Sequence, residues 1–436
     1  MDATDTNREE SRVPHMELAA IASEELIEPL LSNNGHDGTL SVVPESVLAA
    51  STALPVVDET TSNSKEDRSR NNIADVQSDQ TRKNGIPLFK GLIERVRRTL
   101  RGSADDIGWL QRAPELPPVE DGTERFTSIL EIIRHDVHML PNTMVYLLVP
   151  GLFSNHGPLY FTTTKAYFSK MGLTCHIAKI HSEASVEKNA REIKEYIEEF
   201  HWGSKKRVFL LGHSKGGIDA AAALSMYWPD LKDKVAGLAL AQSPYGGSPI
   251  ASDIMREGQI GVNVRKLFEI LICKVIKGDL QALEDLTYKK RMEFLEKHQL
   301  PLELPVVSFH TEANISPAAL ATLSRVAHAE LPTFAPLSPP VLPVVIPLGA
   351  TMVAAAQLLQ TRYHEQSDGL VLRSDAEVPG SVVVRPTRKL DHAWMVYSST
   401  KDEPLEADAS QVCEALLTLV MEVGLRKNHF RSIQEE

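Results

Sequence analysis

The residues best placed to do chemistry lie in Gly212-His213-Ser214-Lys215-Gly216-Gly217, directly after the apolar run Val208-Phe209-Leu210-Leu211. The pattern is G-x-S-x-G, which is informative only where a strand precedes it and a helix follows it. Both are expected here, since 207–211 reads as a buried strand and 217–227 as an Ala-rich helix. A strand that turns so sharply into a helix forces Ser214 into a strained conformation, with its hydroxyl exposed above the sheet. Gly212 and Gly216 leave the space that a Cβ would block, and Gly217 adds a third glycine to the turn. The helix N-terminus supplies positive potential where an alkoxide and an oxyanion would develop. The predicted chemistry is attack by Ser214 on a carbonyl carbon. The competing reading is a plain tight turn.

A serine hydroxyl is a poor nucleophile without a general base, so a histidine and an orienting carboxylate should follow in the order Ser, acid, His. Of the 15 histidines, His298, His310, His328, His364, His392 and His429 come after the elbow. His392, in Leu390-Asp391-His392-Ala393-Trp394, falls just beyond the last expected strand and is the choice for the base. Asp368, in Ser367-Asp368-Gly369-Leu370, is the choice for the acid, its glycine suiting a tight loop that presents a carboxylate. Asp375 is its main competitor. Asp391 is a weaker one, because a direct neighbour seldom reaches its own histidine's Nδ1. An oxyanion hole needs two backbone N–H donors. Lys215 follows the nucleophile and supplies one, its side chain read as solvated. Leu152, in Val149-Pro150-Gly151-Leu152-Phe153 after the first strand, supplies the other.

These residues need a scaffold, and from about residue 140 the sequence alternates between strand and helix patterns. Strands are expected at 144–149, 173–180, 207–211, 235–241, 306–309 and 382–384. Helices are expected at 186–200, 217–227 and 409–423. The fold class is therefore α/β, a mostly parallel sheet covered on both faces. The expected catalytic domain spans 140–425, with a C-terminal tail at 426–436. Residues 253–300 read as a helical insertion and 315–360 as an apolar cap or lid segment. Within the latter, 341–359 carries no charge, but Pro343 and Pro347 argue against a membrane span.

The chain of 436 residues has a formal net charge of −12, which argues against a nucleic-acid binder. Most of that charge sits in residues 1–85, which lack aromatic residues and read as a disordered acidic tail. Residues 86–139 read as an amphipathic basic helix and a connector. The helix at 86–101 is expected to dock on the body, with a membrane interface as the second reading. Peripheral membrane contact through 86–101 or 331–359 is thus a candidate property. The three cysteines, Cys175, Cys273 and Cys413, are too far apart for a disulfide framework or a zinc set. With no signal sequence legible, the cytoplasm is the expected location.

Taken together, the Pro-Gly-Leu entry, GHSKGG, Ser243-Pro244-Tyr245-Gly246-Gly247-Ser248-Pro249, the Ser367–Val371 stretch and the late Asp-His-Ala-Trp resemble the lipase-like branch of the α/β-hydrolase superfamily. Uncharacterised plant α/β-hydrolases resemble the chain more closely still. In bacterial triacylglycerol lipases the segment after the strand that follows the elbow commonly reads P-H-x-G-T-P, which Pro244–Pro249 approximates. The resemblance covers about 140–255 and 304–425 and implies a carboxylic ester hydrolase. Two departures stand out. The usual His-Gly of the oxyanion loop is Pro150-Gly151 here, and Trp394 stands where related bacterial lipases place a calcium-holding aspartate. No metal and no cofactor are expected.

The leading functional reading is a serine ester hydrolase for a lipid or other hydrophobic ester, using Ser214, His392 and Asp368. Acyl transfer to an alcohol would use the same residues, and nothing in the sequence separates the two. A non-catalytic binding scaffold is the third reading, since a fold alone does not fix a function.

Overall fold

The computed structural model describes residues 101–156, 159–255, 280–313, 330–333, 344–347, 359–396 and 406–434. The expected acidic tail at 1–85 and the basic helix at 86–100 lie outside them.

The elements run β1 (Glu120–Asp121), α1 (Thr123–Arg134), β2 (Val145–Val149), α2 (Thr162–Lys170), β3 (Thr174–Ile177) and α3 (Val186–Ser204). They continue with β4 (Val208–His213), α4 (Lys215–Met226), α5 (Trp228–Leu231), β5 (Val235–Ala241) and α6 (Pro249–Met255). Then follow α7 (Gln281–Glu284), α8 (Tyr288–Lys297), β6 (Val306–Phe309), β7 (Glu330–Thr333), β8 (Val344–Pro347), α9 (Arg373–Ala376), β9 (Val382–Val384) and α10 (Ala409–Gln434). Seven strands form one sheet in the order β1-β9-β6-β5-β4-β2-β3, every neighbouring pair parallel.

Near-continuous apolar runs produce the inner strands β2, β4, β5 and β9, because a parallel sheet is covered on both faces. Alternation then sorts the side chains. Val145, Leu147 and Val149 join the core beneath α3 and α4, while Tyr146 and Leu148 join the core beneath α1, α2 and α10. The chain leaves β2 first towards β3 and then crosses to the other side for β4. Crevices at the carboxyl ends of strands open at such a switch point, and the loops after β2 and β4 meet there.

The structure extends the sheet beyond the limits drawn from sequence. Glu120–Asp121 pairs with Val382–Val383 at the sheet edge, although it is only two residues long and acidic, which no hydrophobic pattern could have marked. The last helix continues to Gln434 rather than ending near 423, so the stretch expected as a C-terminal tail is helical as far as residue 434. Within the expected cap segment, Glu330–Thr333 and Val344–Pro347 pair as an antiparallel ribbon, where a proline-rich stretch gave no strand signal. The rest of 315–358 and residues 256–279 of the expected insertion fall outside the described residues. Among the described residues, no helix is long and apolar enough to cross a membrane.

Candidate functional site

Ser214 sits between β4 and α4 with φ +55° and ψ −131°. Such a conformation is costly for any residue but glycine, and persists only where the surroundings enforce it. They do so by close packing. A Cβ on Gly216 would stand 2.4 Å from the carbonyl oxygens of Val149 and Pro150, and one on Gly212 would stand 2.4 Å from Gly217 Cα. Gly217 is pressed against Ser243, whose Oγ would be 2.0 Å from an added Cβ. All three glycines of the elbow are therefore close-approach positions. Along 208–224, every residue except Ser214 is buried, so the serine is the open point of an otherwise closed turn.

The loop after β2 lies directly over this turn. A Cβ on Gly151 would come within 2.8 Å of Ser214 Cβ and 2.9 Å of the His213 carbonyl oxygen. Leu152 follows, and Phe153 takes a left-handed φ of +65° to turn the chain back. The Lys215 N–H is among the first-turn donors that a helix leaves without an internal acceptor. Its side chain is not solvated, as the sequence had it. Lys215 Nζ is buried and pairs with both Asp219 oxygens at 2.8 and 3.0 Å, one turn further along α4. Burial pushes the Asp219 carboxyl up, to about 6, against the opposing pull of Lys215 and Asn189.

His392 and Asp368 are brought together. His392 Nδ1 lies 2.8 Å from Asp368 Oδ2, and the His392 backbone N–H donates to the Asp368 carbonyl at 2.9 Å. The other carboxylate oxygen accepts from the backbone N–H groups of Leu370 (2.9 Å) and Val371 (2.8 Å), so the carboxylate is held at both ends. Both side chains are buried. The pair reaches the elbow through His213, whose ring centroid is 4.7 Å from that of His392 and whose Nε2 lies 2.9 Å from the His392 carbonyl oxygen. Among the described residues, no hydrogen bond joins Ser214 Oγ to His392. Such contacts are often long in ligand-free enzymes and tighten with substrate.

The competing carboxylates have other work. Asp391 Oδ1 accepts from the N–H groups of Ala393 and Trp394, closing a local turn. Asp375 is buried and accepts from Tyr288 Oη at 2.5 Å and the Gly108 N–H at 3.1 Å, clamping the 101–113 segment to α8. Burial pushes the Asp375 carboxyl up to about 7 in spite of those two donors. A carboxyl raised on folding favours the native state below its unfolded value of about 3.9 and loses that contribution as pH rises through about 7. Asp375→Asn has no charge to bury, so wild type should lose thermal stability relative to this variant between pH 4 and pH 7. Melting curves of both proteins across that range provide the check, and parallel profiles would sink the assignment.

Three further residues touch the site without a sequence signal. Tyr160 Oη lies 3.0 Å from the Gly151 nitrogen and 2.5 Å from His213 Nδ1. Gln242, the first residue after β5, has φ +49° and places Oε1 3.1 Å from His213 Nε2. Thr311, just after β6, takes a hydrogen bond from Gln242 Nε2 at 2.6 Å. Burial holds the His213 imidazole neutral, its pKa well below the usual range, and the neighbouring His392 pushes it the same way. Beside the β2 loop opens a cavity of about 410 Å³, lined by Pro150, Ser154, Tyr160, Thr162, Lys165 and Lys179 among others. Among the described residues, no three His, Cys, Asp or Glu side chains are grouped to hold a metal ion.

No family model matches the chain, and no curated protein matches its sequence. Solved structures match its fold. The metagenomic carboxyl esterase MGS0156 superposes with a TM-score of 0.52 at 19% identity, over 70% of this chain and 93% of its own. The mature lipase BlEst2 from Bacillus licheniformis gives 0.42 at 17%, over 59% and 87%. EstA from Clostridium botulinum gives 0.40 at 12%, over 71% and 94%. The parallel sheet, its strand order and the first of these superpositions define the fold as that of the α/β-hydrolases.

Proposed function

We propose that the chain is a serine carboxylic ester hydrolase acting on a lipid or other hydrophobic ester. The observation that carries this reading is the buried His392–Asp368 hydrogen bond lying against the strained, partly open Ser214 elbow. A single strained serine could be a turn, and a single His–Asp pair could be structural. Their convergence at a switch point, under a loop that can donate N–H groups, is what acyl transfer needs.

In this reading Ser214 Oγ attacks the ester carbonyl carbon as His392 Nε2 takes its proton. Asp368 holds His392 in the tautomer that leaves Nε2 free to accept. The oxyanion of the tetrahedral intermediate accepts from the Leu152 and Lys215 N–H groups. Collapse expels the alcohol, which takes the proton from His392. A water deprotonated by His392 then attacks the acyl-enzyme and releases the acid. No metal and no cofactor take part.

The fold-level likeness to a carboxyl esterase supports an ester as substrate. The hydrophobic preference is supported by the uncharged, apolar composition of residues 341–359. Cys175 and Cys413 are buried free thiols, which suits a cytoplasmic protein. Labelling with a fluorophosphonate probe tests the reading, because covalent capture needs an activated serine and a working oxyanion hole together. Wild type should label and Ser214→Ala should not. A p-nitrophenyl ester series should then show kcat/KM rising with acyl length. A folded wild-type protein that neither labels nor turns over any ester, with or without detergent, would end the hydrolase reading.

A further inference from the structure

We propose that Tyr160, His213 and Gln242 form a positioning relay that fixes the oxyanion loop and the base loop relative to one another. The proposal rests on the hydrolase reading above and adds to it residues that touch neither the nucleophile's oxygen nor the reacting carbonyl.

The proton assignment follows from the fixed acceptor. The His392 carbonyl can only accept, so the neutral His213 ring carries its proton on Nε2, and Tyr160 Oη donates to Nδ1, 2.5 Å away, while accepting from the Gly151 N–H at 3.0 Å. The Nε2 proton is shared between the His392 carbonyl at 2.9 Å and Gln242 Oε1 at 3.1 Å. Gln242 is oriented by the same contact, with its amide nitrogen donating to Thr311 Oγ1 (2.6 Å) and to the Asp391 carbonyl (3.2 Å). Thr311 Oγ1 in turn donates to the Leu390 carbonyl at 2.9 Å. Three successive carbonyls, of Leu390, Asp391 and His392, are thus held by one buried network that begins at the oxyanion loop.

The network is specific to the site. Tyr160, His213, Gln242 and Thr311 are all buried, and each polar atom named has a partner whose donor or acceptor role is forced by the next. It runs across the carboxyl ends of five strands, from the loop after β2 through the elbow after β4, the end of β5 and the end of β6 to the loop after β9, and so links the loops of β2 and β9, which are not neighbours in the sheet. Acyl transfer depends on sub-ångström placement of base and oxyanion donors around one carbon. A cross-brace between their two loops is a device for that placement. Gln242 adopts a left-handed backbone to take part, which is a cost that a merely space-filling residue would not carry.

The test compares wild type with Tyr160→Phe, His213→Gln and the double variant, each checked for melting temperature. The readouts are the rate of Ser214 phosphonylation and the kcat and KM of a soluble p-nitrophenyl ester. Tyr160→Phe strips the oxyanion arm. His213→Gln keeps a donor for the His392 carbonyl but has no acceptor at the Nδ1 position, so it strips the same arm. Each should lower kcat and the labelling rate by about tenfold to a hundredfold with KM little changed. The double variant should fall no further than His213→Gln alone, because both changes remove one arm. Single variants matching wild type, or losses that multiply in the double variant, would overturn the relay. A wild-type protein that fails to label defeats the hydrolase reading instead, so the two failures are distinct. If either single variant does not fold, Thr311→Val carries the test. Its loss of one hydroxyl should reduce kcat by roughly threefold at unchanged melting temperature, and unchanged kcat would overturn the relay.

Discussion

Replacing Asp368 by asparagine is expected to lower kcat on an activated ester by about 10⁴-fold without unfolding the protein. The reason lies in how the carboxylate is held. Its Oδ1 accepts two backbone N–H groups, from Leu370 and Val371, and an asparagine oxygen would keep that position. The amide nitrogen would then face His392 Nδ1, where the Asp368 carboxylate oxygen now lies at 2.8 Å. A donor there drives the imidazole's proton to Nε2, and a protonated Nε2 can no longer take the proton of Ser214. Fold and binding survive while the base is put in the wrong tautomer. Steady-state kinetics beside a thermal melt separate the two effects, and an Asp368→Asn enzyme that keeps a tenth of wild-type kcat would remove Asp368 from the mechanism. Asp391 and Asp375 offer no rescue, since their carboxylates are engaged with Ala393 and Trp394 and with Tyr288 and Gly108.

That distinction between carboxylates marks the limit of what the sequence discloses. A strand such as Val235–Ala241 is legible to the residue, because burial on both faces leaves an unbroken apolar run between Lys234 and Gln242. The elbow is legible because its chemistry and its geometry both demand glycines at fixed spacing. Choosing among Asp368, Asp375 and Asp391 depends instead on which carboxylate points at His392, a property of three loops at once. Tyr160 and Gln242 are harder still. They meet His213 across 53 and 29 residues of sequence and belong to no local pattern. A left-handed backbone would have been the one hint at Gln242, but nothing in a glutamine announces it. Lys215 shows the opposite error. A lysine beside a serine reads as solvated by residue type, whereas its stem and charge are taken into the core because Asp219 lies one helical turn away.

The buried pair makes the second large prediction, this one on stability. Lys215 and Asp219 are each about 1% exposed, with Asn189 of α3 donating to the second carboxylate oxygen at 2.9 Å. Removing the cation alone, in Lys215→Met, strands a carboxylate in the core and should destabilise the protein by about 3–5 kcal/mol. Removing both charges, in Lys215→Met with Asp219→Leu, should recover most of that loss, because two desolvation penalties disappear along with one attraction. The single variant also carries a sign that can be checked. Burial already pushes the Asp219 carboxyl up to about 6 with Lys215 beside it, and without the lysine it must rise further. The uncharged acid is the form the core tolerates, so the deficit should be largest near pH 8 and shrink as pH falls towards 5. Urea titrations of wild type, single and double variants at the two pH values decide it. A single variant within about 1 kcal/mol of wild type at pH 8 would mean that water reaches the pair. A full deficit that the double variant recovers would show instead that the pair is dry, and that the loss comes from the stranded Asp219 charge in the first turns of α4 beneath Ser214.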